Sequence, residues 1–167
     1  MKSEITFRIT VQKSDIRTVG RLVKLAENFR PDEIIVAKNL VRDCYQFGSQ
    51  KSGYYFIFCE DENAQVVGYI CYGPIACTIG SYDLYWIIVD KKMQGQGIGT
   101  KLLQMAEKKM ARKKARMIYI ETSSRPDYRQ TNQFYLRNNY TKVAQLKDFF
   151  TAGDDRIIYQ KKVAAPL

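Results

Sequence analysis

The chain reads Gln94-Gly95-Gln96-Gly97-Ile98-Gly99 between an apolar run and the start of a helical pattern. The apolar run is LYWIIV, residues 84–89, and it has the composition of a buried strand. Glycines let a tight turn bring the main chain close to a ligand, because no Cβ stands in the way. A helix start adds unpaired N–H groups and the positive end of the helix dipole. The stretch therefore predicts a site for the phosphate groups of a cofactor.

The residues after this turn have the spacing of an amphipathic helix. Apolar side chains recur at steps of three and four, and they are Ile98, Leu102, Leu103, Ala106 and Met110. A strand pattern follows at residues 117–121. Since a strand–helix–strand unit favours a right-handed parallel crossover, the strands on either side of this helix are expected to pair in parallel.

The remaining patterns predict a mixed α/β protein with the element order βααβββαβαββ. Strands are expected at residues 5–11, 54–59, 65–72, 82–89, 117–121, 141–149 and 156–163. Helices are expected from Ser14 or Asp15 to about residue 29, at 31–45, from about 98, and at 129–138, with a loop at 46–53. We expect residues 1–167 to form a single domain.

Composition excludes several classes of protein. Of the 167 residues, 46% are hydrophobic, so disorder is not indicated. No window approaches the run of about 18 apolar residues that a membrane span needs, and no secretory pattern opens the chain, so we expect a cytoplasmic protein. The chain has no histidine and no CxxC pair, which argues against histidine triads and zinc sites. No metal is expected, and the four cysteines are interpreted as packed thiols.

The formal net charge of +10 predicts an affinity for anions. The densest cationic cluster is at residues 108–116. Three interpretations stay open for it: a solvated helix end, help with cofactor phosphates, or contact with nucleic acid.

Two common phosphate motifs do not fit. The chain contains no GxxxxGK[ST] string. A dinucleotide fingerprint would need a third glycine where Thr100 stands, although Glu121 lies about where an acidic ribose ligand would be. The unit also comes in mid-chain, after four strands, so a nicotinamide-dependent oxidoreductase is disfavoured.

A different signature fits better, namely [Arg/Gln]-x-x-Gly-x-[Gly/Ala], present here as Gln94, Gly97 and Gly99. It is followed about 40 residues later by FYLRNNY, residues 134–140. Together with the strand order, these motifs resemble the GNAT superfamily of acyl-CoA-dependent N-acetyltransferases over nearly the whole chain. Asn139 and Tyr140 replace the Gly and Phe usual in the second motif, but Asn tolerates the left-handed backbone needed there.

The resemblance implies a GNAT-type fold. Its centre would be a mixed, mostly antiparallel sheet of about seven strands with a parallel, splayed central pair, flanked by about four helices. It also implies transfer of an acetyl group from acetyl-CoA to a primary amine, by direct attack in a ternary complex. The alternative is a non-catalytic acyl-CoA-binding or sensor protein of the same fold.

The resemblance also implies the residues that bind acetyl-CoA. The main chain of Ile87, Ile88 and Val89 would bond the pantetheine arm and polarise the thioester carbonyl. The diphosphate would lie on the backbone amides of Gln94, Gly95, Gln96, Gly97, Ile98 and Gly99, with Thr100 at the helix start. Asn132 would bond the pantetheine.

Catalytic roles follow from the same match and from the lack of histidine. Tyr135 matches the family's general acid, because a phenol with a pKa of about 10 keeps its proton at neutral pH. Only about one lysine-like amine in 10³ is unprotonated at neutral pH, so a proton acceptor is needed. Asp83 and Glu121 are the candidates, with a water chain as the alternative.

The acceptor site is poorly defined by sequence. The positive charge argues against a very basic protein substrate, so we expect a small-molecule amine or an amino acid. We expect neither a membrane nor a nucleic acid as partner, and a homodimer stays open.

Overall fold

The computed structural model describes residues 5–163. Its strands are β1 (Thr6–Arg8), β2 (Tyr55–Glu60), β3 (Val66–Pro74), β4 (Ser81–Val89), β5 (Met117–Ser123), β6 (Thr141–Thr151) and β7 (Asp154–Lys162). Its helices are α1 (Asp15–Ala26), α2 (Pro31–Ser52), α3 (Ile98–Arg112) and α4 (Arg129–Arg137). The predicted element order is confirmed.

The strands form a seven-stranded sheet in the order β1-β2-β3-β4-β5-β7-β6. β4 and β5 pair in parallel, from Ser81 beside Met117 to Leu84 beside Ile120. The pairs β1–β2, β2–β3, β5–β7 and β6–β7 are antiparallel. This arrangement confirms the mixed, mostly antiparallel sheet with a parallel pair.

The described chain divides into two compact units. The first contains residues 5–73 together with Trp86–Glu107, and the second contains Pro74–Tyr85 together with residues 108–163. The assignment of residues 1–167 to one domain stays a prediction.

In the first unit, α1 and α2 cover one face of β2 and β3. α1 turns an apolar stripe inward, with Val19, Leu22 and Val23 fully buried. It ends at Glu27, which takes the left-handed conformation with φ 65°. The core cluster beneath also includes Val41, Phe56, Phe58, Tyr69 and Cys71.

In the second unit, the alternation of β5 separates two faces of the sheet. Ile118 and Ile120 are buried on one face, where the rings of Tyr135 and Tyr159 have centroids 5.9 Å apart. Because successive side chains of a strand point to opposite faces, Tyr119 and Glu121 belong to the other face.

The prediction of a loop at residues 46–53 is wrong. Helix α2 continues to Ser52, with a break at Gly48, whose φ of 77° and ψ of 160° are not helical. One further turn forms after the break: the Ser52 hydroxyl donates to the Gly48 carbonyl at 2.9 Å, and Gly53 ends the helix with φ 76°. The glycines do mark the break and the end, but the residues between them stay helical.

The cap expected at Ser14 or Asp15 also takes another form. Ser14 occupies the cap position but forms no side-chain cap bond. Asp15 is 1% exposed, accepts from the Gln12 N–H at 2.7 Å, and forms an ion pair with Arg8 at 3.0 Å. The carboxylate thus ties β1 to α1 instead of capping the helix.

Among the described residues, no helix has the length and hydropathy required to cross a bilayer. Within residues 5–163, no three Cys, Asp or Glu side chains are grouped so that they could hold a metal ion. Cys44, Cys59 and Cys71 are buried free thiols, as expected. Cys77 is exposed, so the prediction of a packed thiol is wrong there.

Candidate active site

The loop between β4 and α3 is open and built on glycines with positive φ. After a short 3-10 turn at Lys91–Met93, Gly95 and Gly97 adopt φ values of 78° and 79°. Residues 94–97 are exposed, and a Cβ placed on either glycine would meet nothing within 4 Å. Backbone conformation, and not crowding by the protein, therefore requires glycine at both positions.

The amides of this loop are free to bind a ligand. Among the hydrogen bonds of residues 5–163, none pairs the main-chain N–H groups of residues 95–100 with an acceptor. The first helical bond runs from the Lys101 N–H to the Gly97 carbonyl at 3.0 Å. Unpaired amides at a helix start are the donor set that a diphosphate needs, so the segment fits the cofactor predicted for it.

Side-chain bonds fix the start of the loop to the end of β4. The Gln94 side-chain amide donates to the Val89 carbonyl at 3.1 Å. Asp90 accepts from the Lys92 N–H at 3.0 Å, and its own N–H donates to Val67 at 2.8 Å. The predicted binding residues Ile87, Ile88 and Val89 and residues 94–100 thus lie together in the first unit.

The predicted pantetheine ligand Asn132 lies in the second unit with its donors already used. Its Nδ2 donates to the carbonyls of Ser123 and Tyr128, both at 3.1 Å. Its Oδ1 is buried and has no partner among the described residues. Since a buried acceptor is costly to leave unpaired, this oxygen fits an N–H donor such as a pantetheine amide.

Tyr135 is 5% exposed and packs among aromatic rings. The ring centroids of Tyr140 and Phe134 lie 6.0 and 5.5 Å from that of Tyr135. Burial raises the pKa of the Tyr135 hydroxyl well above its ordinary value, and Tyr128 and Tyr159 add to the shift. The phenol therefore stays protonated at physiological pH.

The two candidate bases, Asp83 and Glu121, lie on the face of the sheet opposite Tyr135. Asp83 is the parallel partner of Tyr119 on β5, so its side chain shares the face of Tyr119 and Glu121. Arg156, on β7, pairs with Ser123 in the ladder and belongs to the same face.

Arg156 distinguishes the two carboxylates. Its guanidinium forms an ion pair with Glu121 and lies 4.7 Å above the ring of Phe149. Burial raises the pKa of Asp83, and the charge of Arg156 partly opposes that shift. Asp83 is half-buried, whereas Glu121 is engaged by the Arg156 guanidinium.

Arg156 was not predicted from sequence. Its role depends on the register between β5 and β7, which brings together residues 35 positions apart (156 minus 121). The only signal in the sequence was a cation in the last strand.

Comparisons with known proteins place the chain in a family. The family model for the acetyltransferase (GNAT) domain matches residues 52–142. A solved structure of a GNAT-family protein from Desulfovibrio desulfuricans is 38% identical, with a TM-score of 0.92 over 96% of this chain and 100% of that chain. The chain belongs to the GNAT family of acetyltransferases.

More distant structures share the fold alone. The Escherichia coli ribosomal-protein-S18-alanine N-acetyltransferase has a TM-score of 0.76 at 14% identity, over 98% of this chain and 97% of that one. An aminoglycoside 6'-N-acetyltransferase complexed with coenzyme A has a TM-score of 0.74 at 16% identity, over 98% and 99%. No curated protein matches the chain.

Family and fold together define an enzyme. The protein is an acyltransferase, and its fold supports transfer of an acyl group from an acyl-CoA donor.

Proposed function

We propose that this protein transfers an acetyl group from acetyl-CoA to the primary amine of a small molecule or amino acid, by direct attack in a ternary complex. The observation that carries the proposal is the set of unpaired amides at residues 95–100, held open by two glycines with positive φ. Acetyl-CoA supplies the activated acyl carbon.

For the donor, residues 95–100 hold the diphosphate through their main-chain N–H groups. The prediction that the Gln94 amide joins them is corrected, because its N–H already donates to the Lys91 carbonyl at 3.4 Å. The side chain of Gln94 keeps the loop in place through Val89. Main-chain groups of Ile87, Ile88 and Val89 bind the pantetheine and polarise the thioester carbonyl. Preformed donors of this kind typically contribute about 10²–10³ in rate each. Asn132 accepts a hydrogen bond from a pantetheine amide through its unpaired Oδ1.

For the acceptor, Asp83 attracts the ammonium form of the amine and takes its proton. Its burial supports this role, because the raised pKa makes the carboxylate a stronger base. Glu121 and Arg156 form the adjacent wall of the site, where their ion pair leaves Asp83 as the available carboxylate.

Tyr135 acts on the leaving sulphur from the opposite face of the sheet. An ordinary thiol has a pKa of about 8.5, so complete proton transfer from a phenol with a raised pKa is uphill. The phenol therefore donates a hydrogen bond as the C–S bond breaks, and the sulphur receives its proton from solvent as the thiol departs.

A substitution of Tyr135 tests the assignment. Tyr135→Phe keeps the ring packing and should lower kcat by about 10²–10³, as for the loss of one donor to a developing charge, while the affinity for coenzyme A stays unchanged. Tyr159→Phe removes a neighbouring hydroxyl that has no assigned role and serves as the matched control. If the unaltered protein binds coenzyme A but acetylates no member of a broad amine panel, the sensor alternative replaces the enzyme proposal.

For its location we propose the cytoplasm. The three buried free thiols, at Cys44, Cys59 and Cys71, support a reducing compartment.

A further inference from the structure

An open groove runs between α1 and α2 in the first unit, and none of its residues is among those assigned above to acyl transfer. Its volume is about 910 Å³. It is lined by Lys13, Ser14, Ile16, Arg17, Gly20, Arg21, Lys24, Ile34, Lys38 and Arg42.

Six of the ten lining residues are cationic and none is acidic. Arg17 and Arg21 stand four positions apart on α1, as Lys38 and Arg42 do on α2, and Lys13 lies in the turn just before α1. Like charges at this spacing destabilise a helix. Arg21 has an acidic neighbour, Asp90, at 3.7 Å. The other five lining cations form no ion pair with any described residue. An anion bound in the groove would relieve this repulsion.

The floor of the groove is apolar. Ile16 and Ile34 are partly buried against the core of the unit. A Cβ on Gly20 would lie 2.9 Å from Lys38 Cδ, so the absence of a side chain there lets the Lys38 stem lie across α1. The methylene stem of Lys38 adds apolar surface to the floor, since a long cationic side chain can bury its stem while its charged end stays in water.

We propose that this groove docks an acidic peptide segment of another protein, which also inserts an apolar side chain onto the floor. Charge complementarity selects an anionic partner. The two isoleucines favour a peptide over a nucleic acid, because a peptide can bury an apolar side chain on them. No aromatic ring lines the groove, so it lacks the stacking platform on which single-stranded nucleic acid binds.

Fluorescence anisotropy with synthetic probes tests this proposal. The probes are a pool of short peptides with fixed Glu positions and varied Leu, Ile or Phe positions, the same peptides with Ser at the apolar positions, and a single-stranded RNA. The protein variant is R17Q/K38Q/R42Q, and the control K108Q/R112Q/R137Q removes the same charge from exposed positions on α3 and α4. A melting curve for each variant confirms that it is folded.

We expect saturable, salt-sensitive binding of an acidic peptide with an apolar residue. Its affinity should fall at least about tenfold with the groove variant and with the Ser probe, and hardly at all with the control. Equal losses in both variants would show general charge attraction and overturn the proposal. So would RNA binding that matches or exceeds peptide binding, or no binding by any peptide of the pool.

Discussion

The side chain of Gln94 donates a hydrogen bond to the main-chain carbonyl of Val89, with 3.1 Å between the two heavy atoms. One end of the glycine loop is thereby tied to the strand that precedes it. A hydrogen bond typically contributes a net stabilisation of about 0.5–1.5 kcal/mol. Here that stabilisation keeps the unpaired amides of the loop in position.

Gln94→Ala should therefore weaken coenzyme A binding by about tenfold without changing the melting temperature of the free protein by more than a few degrees. Gln96→Ala is the control, because among the described residues that exposed side chain forms a hydrogen bond only to the Met93 sulphur, at 3.8 Å. Isothermal titration with coenzyme A measures the affinity of both variants. Equal losses of affinity in the two variants would contradict the anchoring role of Gln94.

Gly97→Ala should strain the loop, since φ is 79° there and an L-residue in this region costs about 1–2 kcal/mol. We expect a comparable loss of folding stability and a larger loss of coenzyme A affinity, as the amides move out of line. Gly53→Ala imposes the same strain at φ 76° at the end of α2, and it should lower stability alone. Denaturant unfolding and coenzyme A titration separate the two effects.

Asp83→Asn should make the protein more stable and less active. The folded-state pKa of Asp83 is raised above its ordinary 3.8, so the folded state holds this proton more tightly than the unfolded state does. Stability from this group is thus lost as pH rises through the raised value, and the loss persists at neutral pH. The variant's advantage in unfolding free energy should be present near neutral pH and vanish below the ordinary Asp pKa. Its kcat/KM should fall by about 10²–10⁴.

Asp43→Asn, on α2, is the control for Asp83 and should change neither quantity. If Asp83→Asn is instead less stable near neutral pH, the prediction fails, and the ionised carboxylate must be stabilised by further partners. Full activity in that variant would remove Asp83 from the mechanism.

Arg156→Gln should move the acid limb of the kcat/KM profile to higher pH. The charge of Arg156 lowers the pKa of Asp83, so its removal lets burial raise that pKa further. Arg137→Gln removes an equal charge from an exposed position on α4 and should leave the limb in place. An unchanged limb in Arg156→Gln would assign the titration to a group other than Asp83.

Local features of the fold could be predicted because single residues determine them. The glycine turn after β4 and the helix that follows are set by φ preference and apolar spacing. Asn139 takes φ 65°, which confirms the prediction that it would replace the usual glycine after α4.

Features that depend on several residues acting together could not be predicted. The helical turn after Gly48 gains its bonds from Ser52 and Gly53, within a segment whose composition is typical of a loop. Arg156 meets Glu121 only because β5 and β7 pair in one register. The groove between α1 and α2 requires the packing of two helices, which no local pattern reveals.

The binding of the diphosphate by main-chain amides is the central claim, and amide NMR tests it most directly. Titration of the ¹⁵N-labelled protein with coenzyme A should shift the amide proton resonances of residues 95–100 downfield. Titration with pantetheine, which lacks the diphosphate, should leave them in place. Shifts from coenzyme A that fall elsewhere while these six amides stay unchanged would contradict the account.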